Sequence, residues 1–426
     1  MLRHSFAPGH KKSKPRARSL SSFIIHHSSF IILFPHFLFR ATTISCYNPT
    51  MAPTFVRQTV RAMDGYTPGE QPGVSERVVK LNTNENPFPP SQRVLQAIRD
   101  IEGESLRRYP NPTADQFRFA AAKLHSITPD MIIAGNGSDD ILTIATRTFL
   151  PPGGTVAFPD PTYSLYRVLS ELQDAKSAPV PWEDDYTIPI AGLLATKANA
   201  IYIANPNAPT GTMIPPDKIA ELAKAFPGLV LVDEAYADFA DENCIDLVEA
   251  FENIVISRTL SKAYSLAGLR FGYAIAQPQV IDEMMKVKDS YNCDAISVAA
   301  ATAAIEDQAY ARWTWENIRN ERKKLVAELI ALGWTVQPSH ANFLWVAPPD
   351  RKGREAYLGL KHQGILVRFF DKPGLSDHIR ITVGQSHENN ALLAGIRALT
   401  AVEKPTKRES LPTTREERAM DQLAAP

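Results

Sequence analysis

From about residue 91 onward the chain alternates between two hydrophobic rhythms. In SQRVLQAIRDI, TADQFRFAAAKLH, DDILTIATRTFL and PPDKIAELAKAF the apolar residues recur at the spacing of one helix face. Between and after these segments lie short unbroken apolar runs: MIIA (131–134), TVAF (155–158), AIYIA (200–204), LVLV (229–232) and NIVIS (253–257). A strand with one wet face would alternate. Continuous runs predict strands covered on both faces, and their alternation with helices predicts an α/β fold built on a mostly parallel sheet. Past about residue 295 the texture changes. A long helical stretch near 307–332 leads into WTVQ, NFLWV, GILVRFF and HIRITV, which predict a smaller α+β unit. Pro68, Pro72, Pro87, Pro89 and Pro90 keep the segment before residue 91 extended. The expected organisation is an N-terminal arm over 51–95 joining the small domain, a large domain over 96–294, a small domain over 295–403 and a disordered tail over 404–426.

The first fifty residues follow neither rhythm. SSFII occurs from Ser21 and again from Ser28, and the apolar stretch 23–39 is broken by His26, His27, Pro35 and His36. It is too short and too polar for a comfortable membrane span. Three readings compete: an organellar transit peptide, a signal-peptide core, or an unstructured extension ahead of a start at Met51. The near-perfect repeat favours the last. These residues hold seven of the 46 basic residues and no acid, so the rest sets 39 Lys and Arg against all 46 Asp and Glu. The formal net charge of zero is therefore the sum of a basic leader and a mildly acidic body, which argues against a nucleic-acid partner. Cys46, Cys244 and Cys293 are widely spaced and form no CxxC, as expected for a reducing cytoplasm without a disulfide framework or thiolate zinc site.

In open parallel sheets, functional groups gather at the carboxyl ends of the strands. LVLV runs into Asp233 in VDEAYADF. An ionised carboxylate at the buried end of an apolar strand is costly without a partner, although a helix cap or an ion pair would account for it too. The preceding strand, AIYIA, delivers NPNAPTG, a turn of amides, prolines and glycine. The following one, NIVIS, delivers SRTLSKAYSLAGLRFGY, where Lys262 sits among Ser257, Thr259 and Ser261 and is followed by Arg270. GNGSDD (135–140) follows MIIA and opens a helix, whose N-terminal N–H groups suit a phosphate. PDPTYSLY follows TVAF and offers Tyr163 as a stacking ring. An amide, an acid and a lysine at three strand ends suit pyridoxal phosphate. That cofactor needs an amine for its aldehyde, an anion for its pyridine nitrogen, a donor for its phenolate oxygen, and donors with a cation for its phosphate. The ten histidines form no HExxH spacing and no GxSxG is present, so a metalloenzyme or serine hydrolase is not indicated.

Taken in order, LNTNENPF, GNGSDD, NPNAPTG, VDEAYADF and SRTLSKAYSLAGLRFGY resemble the motifs of the fold-type-I pyridoxal-phosphate aminotransferases of class II, over roughly residues 55–402. Within them the likeness is nearest to the histidinol-phosphate branch. The resemblance implies a large domain with a mostly parallel sheet flanked by helices, a smaller α+β domain, and pyridoxal 5'-phosphate as cofactor. It makes Lys262 the Schiff-base lysine and proton shuttle, Asp233 the partner of the pyridine nitrogen, and Tyr236 the donor to the phenolate oxygen. Ser261 and Arg270 become phosphate ligands, with Thr259 as a helper and the Ser138 and Asp139 amides completing the cradle. Tyr163 becomes the stacking aromatic. Tyr109, in LRRYPNP, becomes a tyrosine that reaches the cofactor phosphate of a neighbouring subunit, which implies a homodimer. One departure concerns NPNAPTG, where Ala208 replaces the second asparagine of many relatives. The amide facing the phenolate oxygen is then Asn207, with Asn205 as the alternative.

On the substrate side the resemblance assigns Arg380 in HIRITVG and Arg368 in GILVRFF to an anionic group. It assigns Tyr66 and Asn84 to an arm that folds over the substrate. The implied reaction is transamination of histidinol phosphate with 2-oxoglutarate, giving imidazole acetol phosphate and glutamate in a cytoplasmic histidine-biosynthetic step. An aromatic amino-acid aminotransferase and a phosphothreonine decarboxylase remain alternatives on the same scaffold. A binding protein with a decayed site would have lost Lys262, Asp233 or Arg270, and all three are present.

Overall fold

The structure, a computed structural model, describes residues 55–73 and 78–402. The expectations for 1–50 and 404–426 lie outside the described residues. In chain order the strands are β1 (Val79–Lys80), β2 (Ile132–Gly135), β3 (Thr155–Asp160), β4 (Lys176–Pro181), β5 (Ala200–Ala204), β6 (Leu229–Asp233), β7 (Ile254–Thr259) and β8 (Gly272–Ile275). The C-terminal part adds β9 (Thr335–Val336), β10 (Phe343–Ala347), β11 (Ile365–Leu366), β12 (Arg368–Phe369) and β13 (Ile379–Thr382). Strands β2 to β8 form one sheet in the order β2-β8-β7-β6-β5-β3-β4. All its pairings are parallel except those of β8, which runs antiparallel to both β2 and β7. A second, antiparallel sheet has the order β12-β13-β10-β9, and β11 pairs in parallel with β1 from the N-terminal arm.

Every apolar run singled out in the sequence lies in a strand of this frame. Three strands were not foreseen: the two-residue β1, along with β4 and β8. β4 reads KSAPVP and sits at the sheet edge, where prolines are tolerated because half of the backbone N–H groups need no ladder partner. β8 is four residues long, begins with glycine and lacks the length of a recognisable run.

Alternate residues of the central strands feed two separate cores. Ile133, Val156, Phe158, Tyr202, Leu231 and Val255 point to one face, packed with Ile141 and Tyr166. Ile132, Ile201, Ile203, Val230, Ile254 and Ile256 point to the other, packed with Phe117 and Leu222. At about 1.5–3 kcal/mol for each fully buried large apolar side chain, these two layers are the main reason the strands hold their register. Strand ends therefore inherit a face. Asp233, Ser257 and Thr259 continue the first, whereas Glu234 and Arg258 fall on the second. Among the described residues, no helix is long and apolar enough to cross a membrane.

Candidate active site

Asp233 is the last residue of β6 and is 4% exposed. Its two oxygens accept hydrogen bonds from Ser257 Oγ at 3.1 Å and Tyr166 OH at 3.2 Å. Those donors do not offset the loss of water. Burial raises its pKa to about 6, aided by the Asp139 charge, while the two hydroxyls pull the other way. Among the described residues no ion pair to this carboxylate is found, so it is suited to an added cation. Tyr166 was not foreseen from the sequence. It lies three residues after Tyr163, so both rings are on one side of the helix Leu165–Leu172 and its approach.

Lys262 follows β7 in the turn leading to β8. Its amine donates to Thr83 O at 3.0 Å, which places the LNTNENPF segment against the lysine. Burial and the nearby Arg380 and Arg270 cations lower the lysine pKa to about 8, with Glu85 and Asp139 resisting. Two arginines therefore flank one amine from different elements. Arg270 adopts a left-handed backbone (φ 51°) and donates to Ser261 Oγ at 3.2 Å and to Asp139 Oδ2 at 3.1 Å. Ser261 N in turn donates to Thr259 Oγ1 at 3.2 Å.

Beside them the helix Ser138–Phe149 begins after Gly137, whose φ of 90° suits glycine. A Cβ on Gly137 would lie 2.8 Å from Arg270 Nη2, and one on Gly272 would lie 2.5 Å from Ser138 N. Both glycines keep a hollow open between a helix N-terminus, two hydroxyls and a guanidinium, a donor set with the shape and charge for a phosphate. Tyr163 borders this hollow and donates its hydroxyl to Asp139 Oδ1 at 3.1 Å.

Tyr236 lies on the other flank. Its oxygen accepts from Asn84 Nδ2 at 2.9 Å, which leaves the hydroxyl hydrogen free to be donated elsewhere. Burial raises its pKa, so the group stays protonated. Asn84 is itself fixed by Thr382 Oγ1 and Asn342, and its φ of 57° marks a tight turn. In this structure its amide is therefore a fixed donor to Tyr236.

Asn207 lies buried between two loops. Its Nδ2 donates to Pro161 O at 3.1 Å and Thr210 Oγ1 at 2.9 Å, and its Oδ1 accepts from Thr162 at 2.8 Å. One amide hydrogen bond closes the turn on Thr210, and the others tie it to Pro161 and Thr162 in the segment after β3. Asn205 is likewise committed, to Ile214 from both ends of its amide. Ala208 takes the next place, packed with Phe343, Ala341 and Tyr236. A Pro-Gly turn between a strand and a helix leaves backbone groups that these amides satisfy.

The substrate-side arginines are near each other in charge terms but differ in employment. Arg380, on β13, donates to Asn82 O at 3.1 Å, lies over the Phe343 and Phe370 rings, and has no partner for its Nε. Burial lowers its pKa, as Arg368 does. Arg368, on β12, donates to Thr67 O and Pro68 O at 3.0 Å each, so it grips the arm just after Tyr66. Tyr66 meets Tyr163 edge-on, with ring centroids 6.0 Å apart. Tyr109 stands apart. It is 81% exposed, stacks on Tyr291 at 4.5 Å, and lines a cleft of about 480 Å³ together with Glu102, Arg108 and Asn111.

Comparison with known proteins places this geometry in context. Residues 76–396 match the family described as "Aminotransferase class I and II". The chain is 46% identical over 345 residues to histidinol-phosphate aminotransferase 1 of Trichormus variabilis, covering 81% of this chain and 99% of that protein. It is 45% identical over 339 residues to histidinol-phosphate aminotransferase of Rhodopirellula baltica, covering 79% and 93%. Among solved structures, histidinol-phosphate aminotransferase from Sinorhizobium meliloti in complex with pyridoxal-5'-phosphate superposes with a TM-score of 0.74 at 27% identity, over 82% of this chain and 99% of that one.

Proposed function

Since the chain belongs to the class I and II aminotransferases, we propose that it transaminates histidinol phosphate with 2-oxoglutarate, yielding imidazole acetol phosphate and glutamate. The observation that carries this reading is Lys262, an amine held at Thr83 O whose pKa is lowered to about 8 by burial and by two nearby cations, Arg380 and Arg270. Arg270 suits the phosphate of pyridoxal phosphate and Arg380 the anionic end of a substrate.

The donor set fits that cofactor. When bound, it supplies an aldehyde for the amine and a ring that accepts the electron pair of a departing proton. Ser261, Arg270, Thr259 and the Ser138 and Asp139 amides hold the phosphate. Asp233 holds the protonated ring nitrogen, which answers the unmatched charge that burial leaves on it. Tyr163 covers the ring, and Tyr236 donates to its phenolate oxygen. With the cofactor bound, Lys262 would be the residue that takes the substrate's α-proton and gives it back, as general base and then acid. A pKa of about 8 leaves about one amine in ten neutral at pH 7, enough for a base that must also give its proton back.

Arg380 holds the phosphate of histidinol phosphate in one half-reaction and a carboxylate of glutamate or 2-oxoglutarate in the other. Arg368 adds a second cation. Two of its five N–H groups are used on the arm, and three remain for the ligand. Tyr66 and the arm exclude water above the site. A second copy of the chain supplies Tyr109 to the phosphate, so the working unit is a cytoplasmic homodimer with the arm, large-domain and small-domain division expected from the sequence.

The test is an assay of the cofactor-loaded protein with 2-oxoglutarate and either histidinol phosphate or phenylalanine as donor. Preference for histidinol phosphate, weakened by Arg368→Ala, supports the proposal. Preference for phenylalanine, indifferent to Arg368→Ala, moves the chain to aromatic transamination. Lack of a visible absorption band that depends on Lys262 overturns the cofactor assignment itself.

A further inference from the structure

Behind Asp233 and Lys262, on the opposite face of β6 and β7, lies a buried ion cluster that the chemistry above does not use. Arg258 is 4% exposed and sits between Ser257 and Thr259 on β7. Its Nη2 is 2.7 Å from Glu234 Oε2 and its Nη1 is 3.0 Å from Asp238 Oδ1. Glu234 is 1% exposed, and its other oxygen accepts from Cys244 N. Removing three charges from water costs several kcal/mol per ion, and an apolar cluster would hold the core as well or better. The expense calls for a role beyond stability.

The positions suggest that role. Glu234 and Asp238 bracket Tyr236, and one guanidinium holds both. The same arginine is flanked by Ser257, which donates to Asp233, and Thr259, which accepts from Ser261 N. We propose that Arg258 is a positioning residue: by clasping Glu234 and Asp238 it fixes the 234–238 turn, and through it aims the Tyr236 hydroxyl at the cofactor's ring oxygen. This rests on the cofactor reading given above.

Several titratable groups pack around the clasp. His125 faces it from the helix Asp115–His125, with its pKa lowered to about 3 by burial and by Arg258, so it is neutral. Burial raises the pKa of Tyr264 and Tyr273, which stay protonated. Asp238 is raised by burial and drawn back by Arg258. The groups facing Tyr236 itself are Asn84, Arg380, Asp233 and Tyr66.

The experiment is a pH titration of the visible band of the cofactor-loaded protein, in the parent and in Arg258→Lys, Asp238→Asn and Tyr236→Phe. Arg258→Lys keeps the charge but loses the fork that spans two carboxylates. Asp238→Asn keeps the shape and removes only the distal grip, which guards against a variant that fails to fold. A hydroxyl donated to the ring oxygen stabilises its anionic form, so misdirecting it makes the neighbouring proton harder to remove. Both clasp variants are expected to raise the band's pKa by roughly half to one unit. On a Tyr236→Phe background neither is expected to shift it further. An unchanged band with lower thermal stability would show a structural role alone, and a shift that persists in full without the Tyr236 hydroxyl would show that the clasp acts elsewhere. Either result overturns the inference. A parent protein with no band removes the cofactor reading and this inference with it, and does so before any substitution is made.

Discussion

Asp233 and Lys262 are each held in the charge state that burial disfavours. For Asp233 the folded pKa of about 6 lies above its usual 3.8, so the folded chain binds more protons than the unfolded chain between those values. The stability of the cofactor-free protein therefore falls as pH rises from about 4 to 6. Asp233→Asn removes this penalty, and is expected to raise the stability of the cofactor-free protein at pH 7 by about 1–2 kcal/mol in chemical unfolding, less than the full shift because one oxygen acceptor is lost. The same variant should lose at least about 10²-fold in turnover, because an amide cannot hold the ring nitrogen protonated. For Lys262 the sign is the reverse. Its folded pKa of about 8 lies below the usual 10.5, so the unfolded chain binds more protons between them and stability rises with pH across that window. Lys262→Met should flatten that rise and abolish the visible band. Unaltered pH–stability curves in either variant would refute the assignment of these shifts.

At the scale of elements, the site is an outcome of where strands end. The sequence showed which ends would matter because chemistry-bearing residues follow the apolar runs directly: Asp233 after LVLV, Lys262 after NIVIS, Ser138 after MIIA. It did not show Tyr166, Thr83 or the Arg258 clasp, since each acts through a partner distant in the chain and leaves no periodic trace. A motif records residue types, not hydrogen bonds: it did not show that the Asn207 amide bonds Pro161 O after β3 as well as Thr210 within NPNAPTG. The meeting of β8 with the helix Ser138–Phe149 depends on a residue whose motif looked merely permissive. Gly272→Ala would drive a methyl group to 2.5 Å from Ser138 N. The expected cost is about 1–3 kcal/mol of unfolding free energy, read from denaturant unfolding, with weaker cofactor retention. A neutral result would mean that the helix N-terminus can retreat without loss.

Across the whole molecule, the arm is the element that ties the two sheets together. Its helix Gln58–Ala62 begins at Arg57, which pairs with Asp174 in the turn that follows the helix Leu165–Leu172, beside Thr59 bonded to the same carboxylate. Farther on, Arg368 holds Thr67 O and Pro68 O, and Lys361 holds Glu70 at 2.8 Å. Arg368→Ala should therefore raise the apparent KM for a phosphate-bearing donor and also speed hydrogen exchange of residues 66–70. An effect on KM without one on exchange would separate the two jobs of this arginine. Exposed Tyr109 and Tyr291 fit a surface covered by a second copy. Light scattering is expected to give twice the chain mass, and Tyr109→Ala to weaken cofactor retention without changing the band.

The antiparallel strand also sets a schedule. β2 lies at the sheet edge with β8 as its sole neighbour, so Ile132 has no ladder partner until Ile275 has been made. Emerging from a ribosome, the first phosphate-binding turn waits for most of the large sheet to be synthesised, and its apolar strand must be shielded in the meantime. A chain cut short before Gly272 would keep Asp233 and Lys262 and yet lack the wall that closes the hollow. The meeting of β2 with β8 thus waits until Gly272–Ile275 has been made, well after Lys262.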